Sequence, residues 1–331
     1  MKSTPQGSGS QAPHELHSYA IDFANLASFD FSGLPPEVPA HFFIRHRGIT
    51  VPISLVLAAQ GDAQNDAGLV ILLNGAVDLE RSQRQPVFQR FSWWPDIRAH
   101  VLAVCDPGTF GDEALPLAWS HASAWNWATP AIAESIQVIA AAIGGLPPTR
   151  RTYFGSSAGG HLALQLSIRD PGSRAIVNNC QFDWTRWFAP AVRAVCQSRF
   201  KGMSPQKIRE RFSNEISPLN AVREFGLEPR LDYWINLSSS HDRSVDLPQL
   251  TDLIRTRPEL SQGITVHAYH DSKRGHNPVD KLVVLGMLGT DEEVTAASRS
   301  LEAILVAPSQ LGAVKAADTL DELAREPGEQ A

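Results

Sequence analysis

An α/β fold built on a doubly wound, mostly parallel sheet, with a small helical cap inserted late in the chain, is predicted by three observations. Short continuous apolar runs such as "GLVILLNGA" and "AHVLAVCDPG" have the form of strands buried on both faces. Segments of helical periodicity alternate with them, and parallel neighbours require such crossover connections. Residues 184 to 228 then break the alternation, carrying amphipathic helical pieces ("SPQKIRERF", "NAVREFG") and no strand pattern.

Taken in order, residues 1–18 are rich in Ser, Gln, Gly and Pro and are expected to form a flexible leader. "HFFIRHRG" and "VPISLVLAA" read as an antiparallel pair turning at Gly48. The two apolar runs follow, with "QRFSWWPDI" between them. "LPLAWSHASAWNWATP" comes next, so that Trp93, Trp94, Trp119, Trp125 and Trp127 are all expected in loops after strands. "TPAIAESIQVIAAAIGG" places Ile132, Ile136, Ile139, Ala140 and Ile143 on one helical face. Thr129 is its expected N-cap, Pro130 lies in its first turn, and Gly144 and Gly145 end it. Strand "RTYFGS", helix "GGHLALQLSIRD" stopped by Pro171 and Gly172, and strand "RAIVNNC" precede the cap. "LDYWINLSSS" and "ITVHAYH" are the last strands, with helix "LPQLTDLIRTRPEL" between them and a terminal helix expected over 291–306. The organisation predicted is one domain over 19–306, a cap at about 184–228, and a loosely attached tail over 307–331.

The chain has 331 residues, 43% of them hydrophobic and 19% charged, the composition of a globular protein with ample material for a core. A formal charge of -6 without any basic run argues against a nucleic-acid or anionic-membrane surface. No apolar stretch reaches the length of a membrane span, and the N-terminus lacks the apolar core of a secretory signal. Cys105, Cys180 and Cys196 form no CxxC and cannot all pair within one chain; they are expected to be reduced, packed as small hydrophobes, in a cytoplasmic protein.

"YFGSSAGGHLAL" carries the chemistry. Gly155-Ser156-Ser157-Ala158-Gly159 satisfies G-x-S-x-G between a strand pattern and a helix pattern, the context of a nucleophile elbow. Small residues are needed because a strand turning abruptly into a helix brings neighbouring backbone together. The helix start adds free N–H groups and the positive dipole end beside Ser157, with the Ala158 N–H the expected first oxyanion donor. Taken alone the pattern also fits a plain or phosphate-binding turn. "GSSAGG" lacks the Lys-Ser/Thr of a P-loop and the spacing of G-x-G-x-x-G, and no metal-ligand cluster stands out, so no cofactor and no metal are expected.

A serine hydroxyl needs a base, and the base needs an orienting acid. Acid and then histidine are sought in loops after late strands, and "INLSSSHDRSV" supplies Asp242 and "HDSKRGHNPV" supplies His276. His241, His267 and His270 compete as bases, although the last two fall in or at the end of a strand. Asp183 in "QFDW" is the second-choice acid, and Asp271 shares the loop of the base.

With these residues the chain resembles the α/β-hydrolase superfamily over roughly residues 40 to 306. "GSSAGGHLAL" looks like the elbow of bacterial esterases and prolyl-peptidase-like hydrolases, and "ISPLN" recurs in that group. The resemblance implies a second oxyanion donor in the loop after the third strand, where Asn74-Gly75-Ala76 occupies the place of His-Gly-x; Ala76 N–H is the candidate, a tight hairpin turn at Asn-Gly being the alternative. "CDPGTF…LAWSH", "GSSAGG" and "DRSV" look more specifically like a bacterial hydrolase-like group associated with capsular polysaccharide or glycoprotein biosynthesis, including accessory secretion proteins. No His-Gly-Gly-Gly precedes the elbow, unlike the lipase-like esterases that have that motif.

The expected activity is a carboxylic ester hydrolase: Ser157 attacks an ester or related acyl bond, His276 carries the proton and Asp242 orients the imidazole. The substrate is expected to be a small-molecule or glycan acyl ester, with Ser156, Trp119, Trp125 and Trp184 as substrate-binding candidates, because aromatic loops suit both sugar stacking and apolar chains. The same constellation serves an acyltransferase in polysaccharide or natural-product tailoring, and a non-catalytic binding module on a hydrolase scaffold is a third reading.

Overall fold

The computed structural model describes residues 17–59 and 68–289. The expected terminal helix over 291–306 and the tail over 307–331 lie outside the described residues, as does the expected leader except for His17 and Ser18, which belong to a strand.

Eleven strands are present among the described residues: β1 (His17–Asp22), β2 (Ala40–His46), β3 (Ile49–Val56), β4 (Leu69–Leu73), β5 (His100–Val104), β6 (His121–Ser123), β7 (Asn126–Trp127), β8 (Arg151–Ser156), β9 (Arg174–Asn178), β10 (Arg230–Asn236) and β11 (Ile264–Tyr269). Nine form one sheet in the order β1-β2-β3-β5-β4-β8-β9-β10-β11, while β6 and β7 make a small separate hairpin. From β5 to β11 every neighbour is parallel; β3 runs antiparallel to β2 and to β5. The expected pair at Gly48 is thus β2 and β3, with Arg47 and Gly48 both at positive φ between them, as a two-residue type I′ turn requires. Strand β1, which pairs with β2 in parallel, was not anticipated: its alternation of half-buried and exposed residues follows directly on a polar stretch.

The continuous apolar runs are explained by two covered faces. Leu69, Ile71, Leu73, Leu102, Val104, Tyr153, Ala175, Val177 and Tyr233 point into one core layer, whereas the alternate residues Val70, Leu72, Val101, Ala103, Phe154, Ile176 and Trp234 point into the other. Helices Thr129–Ala142, Ala158–Ile168, Pro218–Phe225 and Leu247–Thr256 cover the first layer; the helix Lys281–Met287 and the Phe88–Trp94 loop cover the second. Each large aliphatic side chain buried in this way contributes about 1.5–3 kcal/mol.

The Thr129–Ala142 helix starts differently from the sequence expectation. Ala128 already has helical φ/ψ of −76° and −17° and serves as N-cap without a side-chain bond. Thr129 therefore lies within the first turn, and its buried hydroxyl has no partner among the described residues. The Lys281–Met287 helix, also unforeseen, buries Val284, Leu285 and Met287 against the sheet.

Between β9 and β10 the chain forms helices only: Ala189–Arg199, Pro205–Arg211, Ser213–Ile216 and Pro218–Phe225. Val192, Val195, Cys196, Phe200, Ile208 and Ile216 from this stretch gather with Trp119, Trp184 and Ala158 in a third cluster that overlies the start of the Ala158–Ile168 helix. The three cysteines are free and buried.

Candidate active site

The elbow forms because β8 passes into the Ala158–Ile168 helix through a single residue. Ser157 sits there at φ 57° and ψ −125°, a conformation that L-residues rarely adopt and that surrounding structure must enforce. The small neighbours permit it. A Cβ at Gly155 would overlap the Gly159 carbonyl, and one at Gly159 would lie 2.8 Å from the Leu73 carbonyl oxygen at the end of β4.

Ser157, His276 and Asp242 come together in one chain of hydrogen bonds. His276 Nε2 is 2.9 Å from Ser157 Oγ, and His276 Nδ1 is 2.8 and 2.9 Å from the two Asp242 carboxylate oxygens. A carboxylate only accepts, so Nδ1 carries the proton and Nε2 is left to accept the serine hydroxyl. Asp242 is fully buried in the turn that follows β10, while a quarter of the His276 side chain is open to solvent. The Trp187 ring lies 4.4 Å from the imidazole, tilted by 40°, and is itself edged by His241 at 4.6 Å.

Of the competing residues, Asp183, Asp271, His267 and His241 are engaged elsewhere. Asp183 caps the short helix Trp184–Arg186, accepting from Thr185 N and pairing with Arg186. Asp271 closes its own turn by accepting from Lys273 N and Arg274 N. His267 stacks on Trp234 and bonds Asp232, and His241 lies 3.5 Å from Asp246; His270 follows β11 directly.

The loop after β4 packs on the elbow rather than turning back as a hairpin, since β4 is parallel to both of its neighbours. Gly75 lies so close that a Cβ there would be 3.2 Å from the Ser156 carbonyl oxygen. Gln89 clasps this loop, accepting from Gly75 N at 3.0 Å and donating to the Ala76 carbonyl at 2.7 Å. Ala76 is exposed, and its N–H has no acceptor among the described residues. Ala158 opens the helix, so its N–H has no intrahelical acceptor.

The aromatic candidates divide. Trp119 and Trp184 are buried and stacked on each other at 5.3 Å, whereas Trp125 is half exposed and packs on Phe200 and Phe212. Ser156 is buried and its Oγ accepts from Arg90 Nη2 at 3.0 Å.

Several site residues went unseen in the sequence. Gln181 donates from Nε2 to Ser157 Oγ at 2.7 Å; its Oε1 accepts the Trp119 indole N–H at 2.7 Å, which fixes the amide orientation because an indole only donates. His161 Nδ1 in turn donates to the Gln181 carbonyl. Three asparagines hold the loops that carry Asp242 and His276. Asn236 Oδ1 accepts from Ser238 N and Asp271 N, and its Nδ2 donates to the Asp271 and Gly275 carbonyls. Asn179 Nδ2 donates to the His276 carbonyl at 3.0 Å, and Asn178 Oδ1 accepts from Val279 N. The available signal was the run "NNCQFD" immediately after an apolar strand, at the carboxyl edge where ligands bind in open α/β sheets.

A cleft of about 440 Å³ opens farther along, lined by Arg186, Arg209, Asn220, Arg223 and Gln249 among others; Ser157, Asp242 and His276 do not line it. Among the described residues no group of three or more His, Cys, Asp or Glu side chains is disposed to hold a metal ion, and no helix is long and apolar enough to cross a membrane.

No family model matches the chain, and no curated protein matches it in sequence. Solved structures do match. Dipeptidyl peptidase 4 from Porphyromonas gingivalis is similar at 12% identity and a TM-score of 0.55, over 81% of this chain and 35% of that one. Prolyl oligopeptidase B from Galerina marginata is similar at 14% identity and 0.53, over 80% and 36%. The acylaminoacyl peptidase of Pyrococcus horikoshii is similar at 12% identity and 0.53, over 82% and 42%. The chain thus spans less than half the length of each of these three. Its fold is that of the α/β hydrolases.

Proposed function

We propose that this chain, with its α/β-hydrolase fold, is a serine hydrolase that cleaves an ester or related acyl bond through an acyl-enzyme. The observation that carries the reading is the Asp242–His276–Ser157 hydrogen-bond chain, ending on a serine at the apex of an elbow. His276 Nε2 takes the Ser157 proton as Oγ attacks the acyl carbon, and Asp242 stabilises the imidazolium that forms. The proton then passes to the leaving group, and the steps repeat with water as nucleophile.

The negative charge that develops on the carbonyl oxygen is met by the Ala158 N–H at the helix start and by the Ala76 N–H. Neither donor has an acceptor among the described residues, and the β4 loop that carries Ala76 packs against the elbow that carries Ala158. Gln181 donates a further hydrogen bond to Ser157 Oγ. The partial exposure of His276 supports hydrolysis, because water can reach the base in the second half of the reaction.

Covalent labelling with a fluorophosphonate tests the reading. Wild-type protein is expected to be labelled and Ser157→Ala unlabelled; a folded wild type that resists labelling rejects it. An ester library run with the same variant pair then defines the acyl group.

A further inference from the structure

Arg90 is a cation beside the elbow that has no counter-ion among the described residues. Its Nη2 donates to the neutral Ser156 hydroxyl at 3.0 Å, one residue from Ser157, while its Nη1 is buried with no acceptor among the described residues. The guanidinium lies over Phe154 at 5.4 Å and Trp93 at 5.8 Å, and no Asp or Glu among the described residues pairs with it. Burial alone lowers its pKa, to about 10, with no carboxylate opposing the shift.

That arrangement is costly. A buried charge is normally compensated by an ion pair and full hydrogen bonding, and two aromatic faces and one hydroxyl supply only part of this. The backbone adds strain: Arg90 is held at φ 63°, in the left-handed region. It is held there by its neighbour, since Gln89 is the residue that clasps Gly75 and Ala76. The guanidinium is thereby fixed beside Ser156, one residue from Ser157, by a segment that is itself tied to the β4 loop. Strain and an unmatched charge maintained together at such a place are the marks of a site that gains its partner on binding.

We infer that Arg90 receives an anionic group of the substrate, a carboxylate, so that the preferred acyl compounds carry a negative charge close to the bond that is broken. The planar fork of the guanidinium suits a carboxylate, and Nη1 with the remaining Nη2 hydrogen provides the donors. The inference rests on the serine-hydrolase reading.

The test times fluorophosphonate labelling of Ser157 in the presence of acetate, butyrate and benzoate, and of the matching amides acetamide, butyramide and benzamide. In the wild type the carboxylates are expected to protect at concentrations at least about ten-fold below those of the amides, the size of one charge-assisted hydrogen bond in a buried site. In Arg90→Gln that ratio, taken against the variant's own unprotected rate, falls to about one; Arg90→Lys keeps part of it. Equal protection by acid and amide in the wild type, or a ratio that survives in Arg90→Gln, overturns the inference. Wild-type protein that is folded but unlabelled rejects the serine-hydrolase reading instead. The anion site is then read from the shift in Tm produced by the same compounds: stabilisation by the carboxylates alone, lost in Arg90→Gln, supports it, and its absence overturns it.

Discussion

Gln181 Nε2 lies 2.7 Å from Ser157 Oγ, closer than the 2.9 Å of His276 Nε2, so the serine hydroxyl is held from two sides by groups of opposite hydrogen-bonding sense. The amide donates to the oxygen, and the imidazole accepts its proton. Gln181→Leu removes the donor and is expected to lower kcat by about ten-fold or more. Gln181→Glu presents an acceptor that competes with His276 for the proton, and is expected to lower it further. Steady-state kinetics of the two variants check the order, which a purely structural role for Gln181 would not produce.

Asp242→Asn keeps the shape of the acid and removes its charge. Because Asp242 has His276 Nδ1 as its side-chain partner, the neutral amide permits the wrong tautomer and a base that no longer accepts from Ser157. A loss in kcat of about 10⁴ is expected, the size of such a change in the serine-protease triad. Ser157→Ala with Asp242→Asn should be no worse than Ser157→Ala alone, as befits groups acting as one unit.

Asn179→Ala releases the His276 carbonyl and leaves the Asn236 N–H without its acceptor. The expected result is a fall in both kcat and the fluorophosphonate labelling rate of about ten-fold, together with a lower Tm, since a buried donor is left unsatisfied. Asn179→Asp retains the acceptor for Asn236 N and should recover more of the Tm than of the rate.

Gly155→Ala tests the elbow itself. Its Cβ would collide with the Gly159 carbonyl, which the helix cannot yield, so the variant is expected to lose at least about 5 °C in Tm or to fail to fold. Thermal melts monitored by circular dichroism decide it.

Glu215 provides a pH-dependent prediction. Burial raises its carboxyl to about 7, only partly opposed by Arg169. Below about pH 4.5 the group is neutral in folded and unfolded chains alike. Between there and about 7 the unfolded chain ionises first, so stability declines as pH rises, and the full penalty applies above 7. Glu215→Gln should therefore raise Tm by about 2–5 °C at pH 8 and not at all at pH 4.

The sheet was legible because its central strands are covered on both faces, which writes "LVILL" and "HVLAV" as unbroken apolar runs. The elbow was legible because overlapping backbone demands glycine at 155 and 159, and such a cluster is rare between a strand and a helix. Asp242 and His276 could be chosen from order and loop position. Gln181, Asn179 and Asn236 could not, since a polar residue after a strand looks the same whether it faces solvent or ties two loops together. Arg90 was hidden for another reason: only burial distinguishes it from the chain's other arginines. Trp119 drew notice as an aromatic in a loop, but its contact with Gln181 depends on packing between segments 62 residues apart.

Strand β11 closes the described sheet, with β10 its single neighbour and all but one of its residues partly open to solvent. His276 hangs from the end of that strand, while Ser157 rises from the middle of the sheet. Opening of an outer ribbon with one neighbour costs less than opening of a central strand, even though β11 gives Ile264, Val266 and Ala268 to one core layer and Tyr269 to the other. It would draw the imidazole away from a serine still standing on its elbow. The imidazole and the Ser157 hydroxyl are thus carried from different positions in the sheet, and amide hydrogen exchange is expected to be faster along β11 than along β8.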